Sequence, residues 1–555
     1  MPEYLLSLLI FLPLLGAVVS ALWPSAQTAQ LRWIALGTLL VQALITVLTL
    51  LHFDKQYPGY QMSESVDWIT LSLGSWGTVS IDYALGVDGI SIGLVALSVI
   101  VLLVGVISSW NITKRPKAYF TLYLILSASI TGCFLAKDFF LFYLFFEFML
   151  LPMYFLIGIW GGPRREYAAI KFFIYTFAGS LLILIVMIAL YLSAIDPIET
   201  GRMLGLMANN SMDQATIISH IQSELRMGAL ASDQMVHTFR FDYLSDPGNY
   251  IPGSFLDQHA NYFLGNIPVR LLAFWFLFIG FAVKLPVVPV HTWLPDAHVE
   301  APTPLSVVLA GILLKIGGYG FIRIVDGFFP AEAWYSATPL AIIGMISIIY
   351  GGFNALGQYD LKKMIAYSSI SHMGFVLLGI AAFTAEGING AIYQMVSHGI
   401  LSSMLFLIAG VLYDRTHNRQ IDHYKGLIEV MPVFTVFTGI AFFANLGLPG
   451  FSGFVGELFT LMGAFKADNI PVWIPALSTL GIVLAAAYML WTYQRMFMGK
   501  FWYQKDSKII LEDLNARELG LLTVLALLTL AIGLYPNLIF SLSETTVNHW
   551  LNSLK

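Results

Sequence analysis

LLAFWFLFIGFAVKLPVVPVHTWLPDAHVEAPTPLSVVLAGILLKIGGYG, residues 271–320, holds two apolar runs joined by a proline-rich link. Each run carries a single lysine, Lys284 or Lys315, and the link carries Pro286, Pro289, Pro295, Pro302 and Pro304. A lysine at the centre of a bilayer costs about 2.5–3.5 kcal/mol on insertion scales, so such a residue points to function and to a wet, partnered interior. Proline has no N–H, so Pro286 and Pro289 are expected to leave the carbonyls of Ala282 and Leu285 without helical partners. Unpaired carbonyls at membrane depth persist only where protein or water lines them. The stretch therefore predicts a helix broken at Lys284 and facing a hydrated cavity.

Apolar runs of spanning length recur on both sides of it. Over 555 residues, 58% are hydrophobic and 11% charged, with a mean hydropathy of +0.76. A soluble domain carries about a quarter charged residues, so the chain reads as a polytopic all-α membrane protein. The expected spans are 4–23, 31–51, 84–109, 117–136, 139–158, 168–193, 269–291, 305–325, 337–356, 363–383, 388–412, 431–461, 473–498 and 517–541, about fourteen in all. Glu3 stands where a cleaved leader would be basic, so the first run reads as a retained span. Arg32, Lys114, Arg115, Lys117, Arg164, Arg165, Lys362, Lys363, Arg415, Arg419, Lys425, Arg495, Lys500, Lys505 and Lys508 fall after odd-numbered spans. Lys55, Lys137 and Lys466 are nearly all that the opposite short loops carry. The positive-inside rule then puts the odd loops in the cytoplasm and both termini outside. Residues 194–268 form the longest non-membrane segment. A short amphipathic helix is expected at 212–229, in a cap too poor in apolar residues for its own core, with His220, His237 and His259 as surface residues rather than metal ligands.

Several chemistries are excluded. The net charge of −5 offers no field for nucleic acid. Cys133 is the only cysteine, which rules out an intrachain disulfide and argues against thiolate-held zinc or iron–sulfur groups. No phosphate-binding or dinucleotide glycine motif is present, so redox cofactors would sit on other chains.

Ionisable residues inside the spans carry the functional reading. Glu147 lies in FFLFYLFFEFMLLPMYFL, with Pro152 loosening the helix after it. A carboxyl bonded to a neighbouring helix is the structural alternative. Lys284 and Lys315 could instead snorkel to an interface. His372 lies in AYSSISHMGFVLLGI and His398 in YQMVSH; histidine titrates near neutral pH, which suits a relay, although a lone membrane histidine can simply join helices. Leu448, Pro449 and Gly450 interrupt FFANLGLPGFSGFVGELF ahead of Glu457, giving a second broken helix. Paired discontinuous helices in the two halves of a chain mark the path in inverted-repeat transporters. Glu147, Lys284, Lys315, His372, His398 and Glu457 form the expected proton-transfer row; Lys171 is a weaker member that snorkelling explains as well.

The motifs FFEFMLLPMYFLIGIWGG (145–162), FAVKLPVVPVHTWLPDAHVEAPTPLSVVLAGILLKIGGYG (281–320), AYSSISHMGFVLLGI (366–380) and NLGLPGFSGFVGELF (445–459) resemble the chain 4, or subunit M, family of respiratory complex I. That family lies within the Mrp-type cation/proton antiporter superfamily, and glutamate rather than lysine at position 457 favours this branch. The resemblance implies three N-terminal helices over 1–116 and a first antiporter-like repeat over 117–325, with the 194–268 insertion as a departure from most relatives. It implies a second, inverted five-helix repeat over 337–498 and a C-terminal helix and tail over 499–555. It also implies Glu147 and Lys284 as a coupled pair, Lys315 and His398 as central relay, and Glu457 as terminal site. Partners would be other membrane-arm subunits, including two antiporter-like neighbours, and lipid, in a bacterial inner membrane. NADH, FMN, iron–sulfur clusters and quinone would bind on partner subunits, with no cofactor or metal in this chain. A sodium–proton antiporter, a subunit of a hydrogenase-type complex and a passive scaffold are the competing readings.

Overall fold

The computed structural model describes residues 4–72, 74, 77–206, 213–260, 262–504 and 511–553; Glu3, Met212, Lys505 and Lys508 lie outside them. Among the described residues, 12 helices are long and apolar enough to cross a membrane: Leu5–Leu22, Thr28–His52, Ile92–Asn111, Pro116–Leu135, Phe139–Trp160, Arg165–Ser193, Thr303–Phe328, Ala337–Leu356, Leu361–Ala381, Ala385–Thr416, Trp473–Phe497 and Ala516–Leu534. Two more of the expected spans are discontinuous. Val269–Lys284 stops at its lysine and the chain becomes helical again at Trp293–Glu300. Pro432–Asn445 is separated from Ser452–Lys466 by the Leu448-Pro449-Gly450 turn. Proline causes both interruptions, because it cannot supply the N–H that the preceding turn needs.

The first break is better satisfied than expected. The Ala282 carbonyl accepts from Val287 N at 3.3 Å, and the Val283 carbonyl from Trp293 Nε1 at 2.9 Å. Pro152 acts as expected on the Glu147 span, which is interrupted at Met149 between Phe139–Phe148 and Leu150–Trp160.

Two boundaries differ from expectation. The span placed at 84–109 starts as a helix only at Ile92, because Thr78–Val87 is a strand that pairs antiparallel with Gln61–Ser72. Its apolar residues alternate with polar ones, a two-residue period, until the Asp88 carboxylate caps the helix by accepting from Ile90 N and Ser91 N at 3.1 Å. The span placed at 517–541 ends at Leu534, ahead of Pro536, and a separate helix runs over Asn537–Ser553.

The 194–268 segment also corrects its reading. Its helix, Gln214–Arg226, buries Ile217, Ile221 and Leu225 at four-residue spacing. Together with Ile195, Leu230 and Met235 they make a hydrophobic cluster separate from the main core, so the segment has a small core of its own. Val236–His237 then adds a parallel strand beside Thr78–Val79, bolting the segment to the hairpin. His237 is buried rather than on the surface, its Nδ1 3.1 Å from the Ala194 carbonyl.

Burial ranks the helices. The central stretches of Thr303–Phe328 and Ala385–Thr416 are wholly buried and that of Leu361–Ala381 nearly so, whereas most residues of Thr28–His52 and Trp473–Phe497 are at least partly exposed. The enclosed three form the axis of the molecule. Glycine allows the closest approaches along it: a β-carbon at Gly317 would sit 2.5 Å from Leu285 N, at the first break.

The loops that carry the basic residues gather on one face. Arg32 reaches the Ile112 carbonyl, Lys114 that of Ile159, Arg164 lies beside Glu300, Lys362 donates to the Ala301 carbonyl, and Arg419 pairs with Asp360. The hairpin and the 194–268 segment lie together on the other.

Candidate functional site

The site forms where the enclosed helices meet the second broken one. Thr303–Phe328 is not a uniform α-helix; Leu309–Leu313 and Phe321–Val325 are π turns. A π turn widens the helix by one residue and recurs at functional positions. Here Lys315 Nζ donates to the Ala310 carbonyl five residues back, at 2.6 Å, and lies 2.7 Å from His398 Nδ1. A lysine that is completely enclosed thus has one carbonyl and one imidazole as partners, and no carboxylate among the described residues.

From His398 the row continues. The His398 and His372 rings are 5.4 Å apart at their centroids. His372 Nδ1 lies 3.1 Å from Glu457 Oε1 and 3.3 Å from Gln394 Nε2. Glu457 stands in the second turn of Ser452–Lys466, just past the break, and is buried. That helix packs antiparallel on Ala385–Thr416 through small residues: β-carbons at Gly390 and Gly456 would run into Thr460 N and Gln394 Oε1. The Ser397 and Ser452 hydroxyls hydrogen-bond across the same seam at 2.8 Å. Lys315, His398, His372 and Glu457, from four helices, therefore form one contiguous chain of titratable groups in the sealed interior.

Glu147 and Lys284 stand apart from this chain. Lys284 is buried at the last turn of its helix, with Nζ 4.5 Å over the Phe146 ring and no hydrogen-bond partner among the described residues. Glu147 is half-buried beside Ser180 and Tyr143; it is an electrostatic neighbour of Lys284, but no ion pair within 4.0 Å joins them. Cys133 is the other ionisable neighbour of Lys284. Lys171 does not snorkel freely: its Nζ is 2.7 Å from Asp296 Oδ2.

Further groups escaped the sequence reading. His298 is fully buried, with both ring nitrogens unpartnered among the described residues, stacked 4.5 Å from Phe406 within electrostatic reach of Lys315 and Lys362. It lies in the proline-rich link between the two apolar runs, and HTWLPDAHVEAP holds too few apolar residues to announce burial. Lys362 looked like a loop charge but is buried against the Ala301 carbonyl. Beside it opens a cavity of about 310 Å³ on the basic-loop face, lined by Glu300, Lys362, Asp414, Arg419, Arg517 and Glu518 among others. On the opposite face a cavity of about 250 Å³ is lined by Glu386, Asn389, Asn537, Glu544 and Asn548 with Phe459, two residues beyond Glu457. Asp326 is buried at the end of its helix, and neither carboxyl oxygen has a partner among the described residues.

A membrane bundle with two broken helices and a buried lysine–histidine–glutamate chain defines the class of ion-translocating, antiporter-like membrane proteins. Residues 136–231 and 253–486 match the family model described as NADH:quinone oxidoreductase/Mrp antiporter, TM, and residues 65–136 match that of the NADH-ubiquinone oxidoreductase chain 4 amino terminus. The chain belongs to this family, in the branch of its subunit M relatives. It is 41% identical to NADH-quinone oxidoreductase subunit M of Rhodobacter capsulatus, covering 99% of this chain and 96% of that one. It is 37% identical to an NAD(P)H-quinone oxidoreductase chain 4 of Synechococcus, covering 96% and 90%. Among solved structures it is similar to a chain of respiratory complex I from Thermus thermophilus with bound NADH, at a TM-score of 0.77 and 25% identity over 99% and 100% of the two chains. A chain of the Mrp complex from Dietzia shares the fold, at 0.77 and 19% over 100% and 98%.

Proposed function

We propose that this chain is a proton-translocating subunit in the membrane arm of an NADH–quinone oxidoreductase. Its buried ionisable groups couple electron transfer on other subunits to proton movement. The observation that carries the reading is the contiguous chain Lys315–His398–His372–Glu457. Burying four titratable groups in a bundle interior is expensive, and that cost has no purpose in a scaffold. NADH, flavin, iron–sulfur clusters and quinone belong to partner subunits, and two antiporter-like neighbours flank this one. The basic-loop face is cytoplasmic, the hairpin and the 194–268 segment lie outside, and the membrane is the bacterial inner membrane.

Glu147 and Lys284 form the input. A carboxylate brought close to a lysine keeps the ammonium charged, and a desolvated lysine left alone gives up its proton more readily. Moving the Glu147 charge away therefore favours release from Lys284 toward Lys315, across the Gly317 contact. His298 and Lys362 connect the inner cavity to the same relay. Replacing Lys284 by Met tests this in membrane vesicles that contain the assembled complex. Proton uptake driven by NADH should be lost while the complex still assembles; uptake at the normal level would refute the coupling.

A second reading, exchange of sodium for protons without electron transfer, is favoured by the fold shared with the Mrp complex chain. Purification of the native assembly separates the two. Flavin and iron–sulfur subunits co-purifying with NADH–quinone activity support the first, and a redox-free assembly supports the second.

A further inference from the structure

We propose that Gln394 is a positioning residue that decides which group holds the Nδ1 nitrogen of His372, and so acts as a valve on proton delivery to Glu457. The inference rests on the proton-translocating reading above.

Gln394 and Glu457 compete for a single ring nitrogen. Gln394 Nε2 is hydrogen-bonded to His372 Nδ1 at 3.3 Å, whereas Glu457 Oε1 lies 3.1 Å from the same atom but makes no hydrogen bond among the described residues in this arrangement. An amide NH₂ can only donate, so that contact needs Nδ1 to present its lone pair. An ionised carboxylate can only accept, so its contact needs Nδ1–H. One nitrogen cannot meet both demands at once. Delivery to Glu457 follows directly. The Nδ1–H bond of an imidazolium at His372 breaks, an O–H bond forms on Glu457, and the ring is left neutral with its remaining proton on Nε2. The bare Nδ1 lone pair then accepts a Gln394 N–H, which keeps it from taking the proton back. Half a turn of the amide about its last bond presents Oε1 instead and releases the lock when Nδ1 is protonated.

The surroundings suit this role. Gln394 is buried, and its Oε1 is without a partner among the described residues. A buried, unsatisfied amide oxygen is costly unless a second arrangement uses it. A β-carbon at Gly456 would stand 2.1 Å from that oxygen, so the residue before Glu457 must be glycine for the amide to lie there. The ionisable groups around His372 are few. Glu457 comes from Ser452–Lys466, His398 from Ala385–Thr416 with Lys315 beyond it, and Tyr488 from Trp473–Phe497, an electrostatic neighbour of Glu457. Lys362, His298 and Asp296 lie toward the other end of the His372 helix, and Ala337–Leu356 contributes no charged group.

The test uses the assembled complex in membrane vesicles with Gln394→Met, which keeps side-chain volume and removes both polar atoms. Protons moved per NADH are measured against pH and against an imposed opposing proton gradient. The expected result is a roughly fivefold fall in yield at high opposing gradient, the size of one lost neutral hydrogen bond, a much smaller fall at zero gradient, and a displaced pH profile. An unchanged yield overturns the proposal. So does a uniform fall at every pH and gradient, which a merely structural role would give. If the Met variant does not accumulate, Gln394→Asn, which keeps the amide but withdraws it by one methylene, takes the same measurement with the same expected and overturning results. Wild-type and Lys284→Met vesicles run alongside: proton yield insensitive to Lys284→Met defeats the translocation reading itself, separately from any outcome at Gln394.

Discussion

At the residue scale, Lys315 and Lys284 show two ways of keeping an amine in a membrane interior. Lys315 is held by a carbonyl that the π turn places within reach and by the His398 ring. Lys284 has no hydrogen-bond partner among the described residues and lies over an aromatic face, which attracts a cation far more weakly than a directly paired carboxylate does. Its surroundings are shaped by a neighbour with no side chain. A β-carbon at Gly317 would meet Leu285 N at 2.5 Å and the Lys284 carbonyl carbon at 3.0 Å. Both are backbone atoms and cannot rotate aside. Gly317→Ala should cost about 1–3 kcal/mol as overpacking, seen as a lower melting temperature of the purified complex together with reduced proton yield. Gly37, in Thr28–His52, has nothing within 4 Å of the same position. Gly37→Ala should therefore be neutral or stabilising, by about 0.5–1 kcal/mol from helix propensity.

At the scale of elements, what the sequence disclosed and what it hid divide along clear physical lines. Both broken helices were legible because proline leaves a written mark. The lysines, histidines and Glu457 were legible because a charge stands out in an apolar run. The strand at Thr78–Val87 was hidden by its apolar residues, which a hydropathy window merges with the helix that follows. His298 and Lys362 were hidden because burial there comes from tertiary packing of a polar link. The pairing of Glu147 with Lys284 that the resemblance implies was the least legible point: sequence can place the two at similar depth, but their separation depends on how two helices are turned. The 194–268 segment has its own test. Asp196 caps Pro197–Met203 by accepting from Ile198 N and Glu199 N at 2.9 Å, and burial raises its carboxyl from 3.8 to about 7. Between those values the folded segment binds a proton that the unfolded one does not, so stability is full below about 4 and is lost as pH rises through about 7. The interval corresponds to at most about 4 kcal/mol. Hydrogen exchange in Gln214–Arg226, corrected for the intrinsic rate, should show easier opening at pH 8 than at pH 5. Asp196→Asn, which caps equally well, should flatten that difference. Asp242 works in the opposite sense: burial pulls its carboxyl up, but Lys137 and Arg240 outweigh burial and hold it low, so its contribution is lost only toward acid.

Across the whole molecule, the titratable chain ends between two cavities on opposite faces, with the enclosed helices between them. The cavity on the basic-loop face is rich in paired charges; Arg415, close by, meets Glu518 at 2.7 Å and so ties Ala385–Thr416 to Ala516–Leu534. The cavity on the opposite face is lined mainly by amides and two glutamates, Glu386 being paired with Lys466. On the function proposed above, such a layout would separate what moves, near His372 and Glu457, from the surfaces that neighbouring subunits would grip.

Cys133 lies sealed against the Lys284 helix with no surface exposed. Nature has thereby supplied a blank background for thiol mapping, since an added maleimide finds nothing to react with in the native chain. Glu386→Cys and Asp414→Cys, introduced one at a time, should each be modified by a membrane-impermeant maleimide from one compartment only, and from opposite ones. The order in which right-side-out and inverted vesicles become labelled would read the topology of the protein directly.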